Sequence, residues 1–183
     1  MRIETDRLVL RQWRSDDFPR LAAIMSDPQV RRFYPRLATF AEAAAGIDRN
    51  RERIDRLGYG LMAVDLKSDG SFVGMLGLAP IPDDLRAHLL GRPPVEIGWQ
   101  FDKTYWGRGL APEGATAVLD YAWRGLKLPD IVAFTYRGNT PSRRVMEKIG
   151  MIYQDKGDFE HPTVPVGHPV RPHVLYRIAN PAA

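Results

Sequence analysis

The chain has 183 residues, 44% of them hydrophobic, which is enough for one sizeable core, so length and composition predict a single domain over residues 1–183. It contains no cysteine, which excludes disulfides, cysteine-ligated zinc and thiol nucleophiles, and we expect no metal site. The net charge of +4 suits an anionic cofactor, yet 26 basic residues are interspersed with 22 acidic ones, so a nucleic-acid partner is not favoured.

The amino terminus is polar and carries no apolar signal core. No window of the sequence approaches the length and apolarity of a membrane span. We therefore expect a cytoplasmic protein with no membrane partner.

The first elements are a strand, a helix and a loop. Arg7 to Arg11 alternates as a strand does, and Ser15 to Asp17 supplies an N-cap for a helix from Phe18 to Met25. Residues 29–37 then mix aromatic side chains with arginines. We expect an aromatic-anchored connection between helices there, and a substrate lip is the alternative.

A second helix and a hairpin follow. The helix runs from Thr39 to Leu57, with Thr39 as cap and Glu42 at the capping-box spacing. Two apolar runs, 60–66 and 72–78, flank an Asp-Gly turn, which predicts a β-hairpin with a defined register.

The most informative segment is a strand, a glycine-bearing turn and a helix start. Val95 to Phe101 is rich in apolar and aromatic residues, and a helix begins near Leu110 because Pro112 is tolerated only in a first turn. Gly107 and Gly109 permit positive φ, and free N–H groups at a helix start favour an anion such as a pyrophosphate.

Other interpretations of this turn are weaker or excluded. A plain turn before a helix remains an alternative. A dinucleotide-binding fingerprint would begin with Gly107-x-Gly109 but requires glycine where Pro112 stands. A P-loop is excluded because the segment has no Gly-Lys-Ser/Thr.

The last third of the chain repeats the strand, turn and helix order. Ile131 to Tyr136 is an apolar strand, the turn contains Pro141, and a short helix from Ser142 to Ile149 stops at Gly150. A strand starts at Met151, and His173 to Ile178 is the final strand.

Three motifs together resemble the Gcn5-related N-acetyltransferase (GNAT) superfamily, and within it the RimJ/RimL type of ribosomal-protein acetyltransferase. They are Glu96 to Trp99, Tyr105 to Glu113, and Asn139 to Met151. The resemblance implies a single α/β (α+β) domain with a motif core at about 95–151. It implies a mixed, mostly antiparallel twisted sheet of about seven strands, splayed in the middle and flanked by four helices.

The resemblance also implies acetyl transfer from acetyl-CoA to a primary amine. The pantetheine arm of the cofactor would then pair with the strand residues Ile97, Gly98, Trp99, Gln100 and Phe101. The pyrophosphate would lie on the turn residues Trp106, Gly107, Arg108, Gly109, Leu110 and Ala111. Asn139 would hydrogen-bond the pantetheine, with Ser142 one helical turn further on.

An amine attacks a thioester only when neutral, so the reaction needs a base. Glu96 is a carboxylate in an otherwise apolar strand, where burial raises a pKa, and it matches the position of the family's glutamate base. A structural carboxylate satisfied by a neighbouring Arg or Tyr is the alternative. A strand N–H near Gly98 or Trp99 would stabilise the developing oxyanion.

The general acid departs from the family pattern. Met146 occupies the position of a tyrosine in many relatives and cannot donate a proton. We expect Ser142 to substitute, with Tyr136 or Tyr153 as reserves. His161 and His173 could shuttle protons, but the prolines near them favour packing or loop roles.

Several questions stay open at this point. A non-catalytic acyl-CoA-binding protein of the same fold is the alternative function. Nucleic-acid binding by the arginines of 39–57 is disfavoured because acidic residues accompany them.

The acceptor is a protein N-terminus or a small amine. Its binding site would be lined by residues 29–37, 80–94 and 161–172, loops whose sequences vary too freely to identify the acceptor. A homodimer is an open alternative.

Overall fold

The computed structural model describes residues 1–182 and shows a nine-stranded sheet, five α-helices and one short 3-10 helix over Lys103–Tyr105. The strands are β1 (Arg2–Glu4), β2 (Leu8–Arg11), β3 (Leu61–Leu66), β4 (Phe72–Pro80), β5 (Val95–Phe101), β6 (Asp130–Tyr136), β7 (Ile152–Tyr153), β8 (Phe159–Glu160) and β9 (Pro172–Ala179). The helices are α1 (Asp17–Ser26), α2 (Phe40–Leu57), α3 (Asp83–Arg86), α4 (Leu110–Arg124) and α5 (Thr140–Lys148).

The sheet is mixed and mostly antiparallel, as expected. Its strand order is β1-β2-β3-β4-β5-β6-β9-β7, with β8 paired to β9, and β5 and β6 run parallel to each other. Seven strands and four helices match the predicted elements. The additional β1, β8 and α3 are only two to four residues long. Elements this short contain too few residues for a recognisable periodic pattern, so the sequence does not reveal them.

Two local predictions are confirmed in detail. Thr39 and Glu42 form a capping box at the start of α2, each side chain accepting from the other residue's backbone N–H. The hairpin of β3 and β4 is antiparallel, with Leu61 opposite Gly77 and an irregularity between Val64 and Asp65.

The predicted side-chain cap of α1 is not formed. Asp16 occupies the N-cap position without a cap hydrogen bond. Asp17 instead accepts two hydrogen bonds from the guanidinium of Arg11, at 2.7 and 2.8 Å, and Arg11 also binds Asp65. A buried arginine requires carboxylate partners. Asp17 therefore binds Arg11 and is not available to cap the helix.

The sheet presents two different faces at β5. Leu76 on β4 lies opposite Trp99 and packs beneath α4, where Gly114 leaves room for its side chain. Because side chains alternate along a strand, Glu96 and Gln100 lie on the opposite face from Trp99. Glu96 lines a cavity together with residues of α2, which places that face towards α2.

The expected splay lies between β5 and β6. Registered pairing of these parallel strands is confined, within residues 1–182, to Glu96 and Val132. Towards their carboxyl ends the two strands separate and leave space for cavities. Across the same residues, none of the helices has the length and apolar character needed to cross a bilayer.

Candidate active site

Two cavities meet where β5 and β6 separate. The first, of about 370 Å³, extends towards the glycine turn, and the second, of about 680 Å³, extends towards α2 and the carboxy-terminal tail. The side chains that line both cavities mark their junction and are Phe33, Tyr34, Trp99, Gln100, Asn139 and Ser142. A ligand lying in the first cavity therefore ends beside any ligand in the second.

The glycine turn supplies free backbone donors to the first cavity. Gly107 and Gly109 adopt φ of 75° and 77°, and α4 begins directly after Gly109. In the described part of the chain, the N–H groups from Gly107 to Ala111 donate to no protein acceptor, whereas the Trp106 N–H donates to the Lys103 carbonyl at 3.2 Å. From Gly107 to Ala111, the turn thus presents free backbone N–H donors that can bind an anion.

Cations surround the same cavity. Arg32, Arg144 and Lys148 line it, and no carboxylate does so among the described residues. Arg108, expected to add a charge here, lines neither cavity, since its guanidinium lies over the Tyr105 ring at 5.3 Å. The sequence prediction thus missed the cations of α5, although 144 and 148 have the i, i+4 spacing that places two side chains on one helix face.

Gln100 is the most unusual polar side chain of the site. It is 5% exposed, and neither its amide nitrogen nor its amide oxygen has a hydrogen-bond partner within residues 1–182. A buried amide without partners destabilises a fold by about 1–3 kcal/mol. Gln100 lines both cavities, but its two amide atoms are themselves buried, so a ligand that carries an amide reaches them only after the side chain rotates.

Asn139 organises the junction from the opposite side. Its Oδ1 accepts from the Ser142 N–H at 3.3 Å and caps α5, which therefore begins at Thr140, two residues earlier than expected. Its Nδ2 donates to the Thr135 hydroxyl at 2.9 Å. These bonds fix the turn and leave one N–H and one lone pair of the amide for a ligand.

Glu96 lies in the wall of the second cavity and is partly buried. Within residues 1–182 its carboxylate has no hydrogen-bond donor and no ion-pair partner, so the Arg or Tyr partner of the structural alternative is not formed. Burial raises the pKa of Glu96 to about 7, against a smaller opposing effect of Arg53. A carboxylate with that pKa can accept a proton near neutral pH.

The remaining charges of the second cavity are arginines. Arg36 forms a bidentate pair with Glu42, so these two charges offset each other. Arg31 and Arg49 also line the cavity and form no ion pair with the carboxylates facing it. The wall that holds Glu96 is therefore positively charged.

The sequence comparisons decide the family. The sequence profile described as "Acetyltransferase (GNAT) domain" matches residues 7–152. The chain belongs to the GNAT acetyltransferase family. YkkB of Bacillus subtilis is 31% identical over 153 residues, which cover 83% of this chain and 86% of that relative.

Solved structures agree with the fold of this GNAT acetyltransferase. A GNAT-family acetyltransferase from Bacillus anthracis superimposes with a TM-score of 0.78 at 29% identity, covering 98% of this chain and 99% of the other. The RimL ribosomal L7/L12 acetyltransferase, solved with coenzyme A, gives a TM-score of 0.76 at 17% identity, with both chains fully covered at 100%. The latter likeness concerns the fold alone.

The acid candidates of this acetyltransferase lie in different places. Ser142 is partly buried at the junction, and its hydroxyl has no partner within the described chain. Tyr153 donates its hydroxyl to Asp158 at 2.8 Å, Tyr136 stacks on Phe33, and neither tyrosine lines a cavity. Met146 is buried and lines the second cavity, where it provides no proton.

The two tail histidines both pack and line the second cavity. The rings of His161 and His173 are 4.8 Å apart, within an aromatic cluster that includes Phe159. Burial lowers the pKa of His161 to about 4 and also lowers the pKa of His173. Both imidazoles are thus neutral at pH 7, and the expected packing role is accompanied by a place in the cavity wall.

The loop of residues 29–37 is more than a connection between helices. Phe33 and Tyr34 line both cavities, Arg32 lines the first and Arg31 lines the second. The sequence favoured the connection and held a substrate lip as the alternative, and the loop lines both cavities, as that alternative requires. Which cavity each arginine faces depends on the loop's path, which the sequence pattern does not specify.

Proposed function

We propose that this GNAT enzyme transfers an acetyl group from acetyl-CoA to a primary amine, with coenzyme A in the first cavity and the amine in the second. The observation that carries this proposal is the free carboxylate of Glu96, in a cavity that joins the one bearing the glycine turn. A base in one cavity and an anion site in the adjoining one suit aminolysis of a coenzyme A thioester.

The first cavity fits coenzyme A chemically. The backbone donors from Gly107 to Ala111 would bind the pyrophosphate, and Arg32, Arg144 and Lys148 would neutralise phosphate charge. On rotation of its side chain, Gln100 would satisfy its donor and acceptor on an amide of the pantetheine arm. Residues from Ile97 to Phe101 would lie along that arm, and Asn139 would use its remaining N–H and lone pair there.

The chemistry is assigned to two side chains. Glu96 removes a proton from the ammonium form of the acceptor, so that the amine nitrogen has a free electron pair. The acetyl thioester supplies the activated acyl group: a C–N bond forms and the C–S bond breaks. As the C–S bond breaks, Ser142 gives its hydroxyl proton to the departing sulfur and regains a proton from the nitrogen of the tetrahedral intermediate, which leaves the neutral amide and the free thiol. A strand N–H near Gly98 or Trp99 stabilises the charge on the carbonyl oxygen.

The proposal is tested by measuring thiol release from acetyl-CoA with a panel of amines and peptides, together with calorimetry of coenzyme A binding. We expect amine-dependent thiol release that Glu96→Gln lowers strongly while coenzyme A still binds. Tight coenzyme A binding with no turnover of any amine would instead identify an acyl-CoA-binding protein. Absence of coenzyme A binding would refute the assignment of the first cavity.

A further inference from the structure

The second cavity contains Arg31, a cation that forms no ion pair within residues 1–182. Of the charged side chains lining it, Arg36 and Glu42 satisfy each other through a bidentate pair. Arg31 has no carboxylate within ion-pair distance in residues 1–182. Its nearest polar contact is a long one, from Nη2 to the Arg36 carbonyl at 3.4 Å.

Stacking on Tyr34 fixes the position of Arg31, although its side-chain Nε has no hydrogen-bond acceptor within residues 1–182. Its guanidinium lies 3.5 Å from the centre of the Tyr34 ring, a stacked cation–π geometry that orients the planar group. Its Nε is buried and has no acceptor. A desolvated, oriented guanidinium with free donors is the group that binds a carboxylate in a bidentate manner.

Tyr34 lies in the cavity wall that also contains Arg31 and Glu96. The Arg31 guanidinium stacks on the Tyr34 ring, 3.5 Å from its centre. Arg31 and Glu96 therefore share the wall of a single cavity. One acceptor molecule can contact both of them.

We propose that the acceptor is an amine that also carries a carboxylate, which Arg31 binds while the amine faces Glu96. This inference rests on the proposed function and names its substrate class. Polyamines and other purely cationic acceptors are disfavoured, because Arg31 and Arg49 would repel them. A free amino acid and a peptide with an acidic residue near its amino terminus share this chemistry.

Matched acceptors test the preference. For small molecules, the acceptors aspartate and glutamate are compared with the corresponding amines that carry no carboxylate. For peptides, an Ala-Asp amino terminus is compared with an Ala-Asn amino terminus. We expect kcat/KM for acidic acceptors to exceed that of their neutral partners by about tenfold or more. The arm with the larger ratio identifies the source of the acid.

Adjacent arginines provide the variant and its control. Arg31→Gln should remove the preference for acids mainly by raising the KM for acidic acceptors. Arg32 is the adjacent residue but lines the first cavity. Arg32→Gln should therefore raise the KM for acetyl-CoA and keep the preference for acidic acceptors. Equal use of acidic and neutral acceptors, or a preference that survives Arg31→Gln, would overturn the inference.

A binding measurement separates this inference from the proposed function. Succinate has carboxylates but no amine, so its binding does not depend on acetyl transfer. We expect succinate to raise the melting temperature of the wild type and not of Arg31→Gln. Turnover of neutral amines without succinate binding would leave the transferase function standing and refute the acidic acceptor. Succinate binding without turnover of any amine would support the Arg31 site and refute the transferase function.

Discussion

Glu96 of β5 lies opposite Val132 of β6, in the registered pair that precedes the separation of these parallel strands. The carboxylate is therefore attached to backbone that the sheet holds rigidly, while the space beside it is open. Its position at the fork brings it into the second cavity, next to the residues shared with the first. A base on a paired strand keeps its geometry better than a base on a loop.

The pH dependence of catalysis should report Glu96. Since burial raises its pKa to about 7, kcat/KM should increase with pH through this value as the carboxylate loses its proton. Glu96→Gln should lower kcat by roughly 10²–10⁴-fold and remove this limb of the profile. Steady-state rates between pH 5.5 and 9 would measure both effects.

Glu52→Gln is the matched control, because Glu52 is exposed on α2 and has no ion pair in the described chain. It should retain the wild-type profile. A Glu96→Gln variant with an unchanged pH profile would show that the base is another group.

The same pKa makes a prediction about stability. The unfolded chain loses the Glu96 proton near pH 4.5, but the folded chain keeps it until about pH 7. Between these values the native state binds more protons, so this residue's contribution to the free energy of unfolding falls as pH rises. Glu96→Gln lacks this dependence.

Urea denaturation at pH 4 and pH 8 would measure the effect, with all other titrating groups common to the two proteins. The stability of Glu96→Gln relative to the wild type should increase by about 3 kcal/mol between these pH values. A constant difference between the two proteins would mean that the folded-state pKa of Glu96 is ordinary.

The glycine turn can be tested with two glycines of similar conformation. Gly109 and Gly70 have φ of 77° and 71°, but Gly70 lies in the hairpin turn between β3 and β4. Gly109→Glu places a carboxylate beside the free N–H groups and should abolish coenzyme A binding. Gly70→Glu carries a similar conformational cost of about 1 kcal/mol without touching the turn.

Calorimetry with coenzyme A distinguishes these variants, and thermal melting shows whether they share the same stability loss. Loss of binding in Gly109→Glu alone is the expected result. Equal coenzyme A affinity in both variants would contradict the assignment of the turn.

Gln100 should affect stability and cofactor binding in opposite directions. Gln100→Met keeps a side chain of similar length and removes the two unpartnered polar atoms. We expect the free energy of unfolding to increase by about 1–2 kcal/mol and the KM for acetyl-CoA to rise. Denaturant titration and initial rates measure the two quantities. A stabilised protein with an unaltered KM would show that Gln100 does not bind the cofactor.

The sequence determined the parts of this protein that local chemistry controls. The capping box of Thr39 and Glu42, the positive φ of Gly107 and Gly109 and the start of α4 after them all follow from residues a few positions apart. Six of the seven predicted strands have apolar patterns long enough to recognise, and the two-residue β7 could be placed because it follows the helix stop at Gly150. The motifs of 95–113 and 139–151 indicated the acetyltransferase family.

Only the tertiary structure decided which polar groups have partners. Asp17 binds Arg11 and does not cap α1. Within the described residues the Gln100 amide has no hydrogen-bond partner, and the Glu96 carboxylate accepts no hydrogen bond. Adjacent arginines, Arg31 and Arg32, face different cavities. Solvation and hydrogen bonding depend on neighbours brought together by folding, and such neighbours are remote in sequence, so no local pattern specifies them.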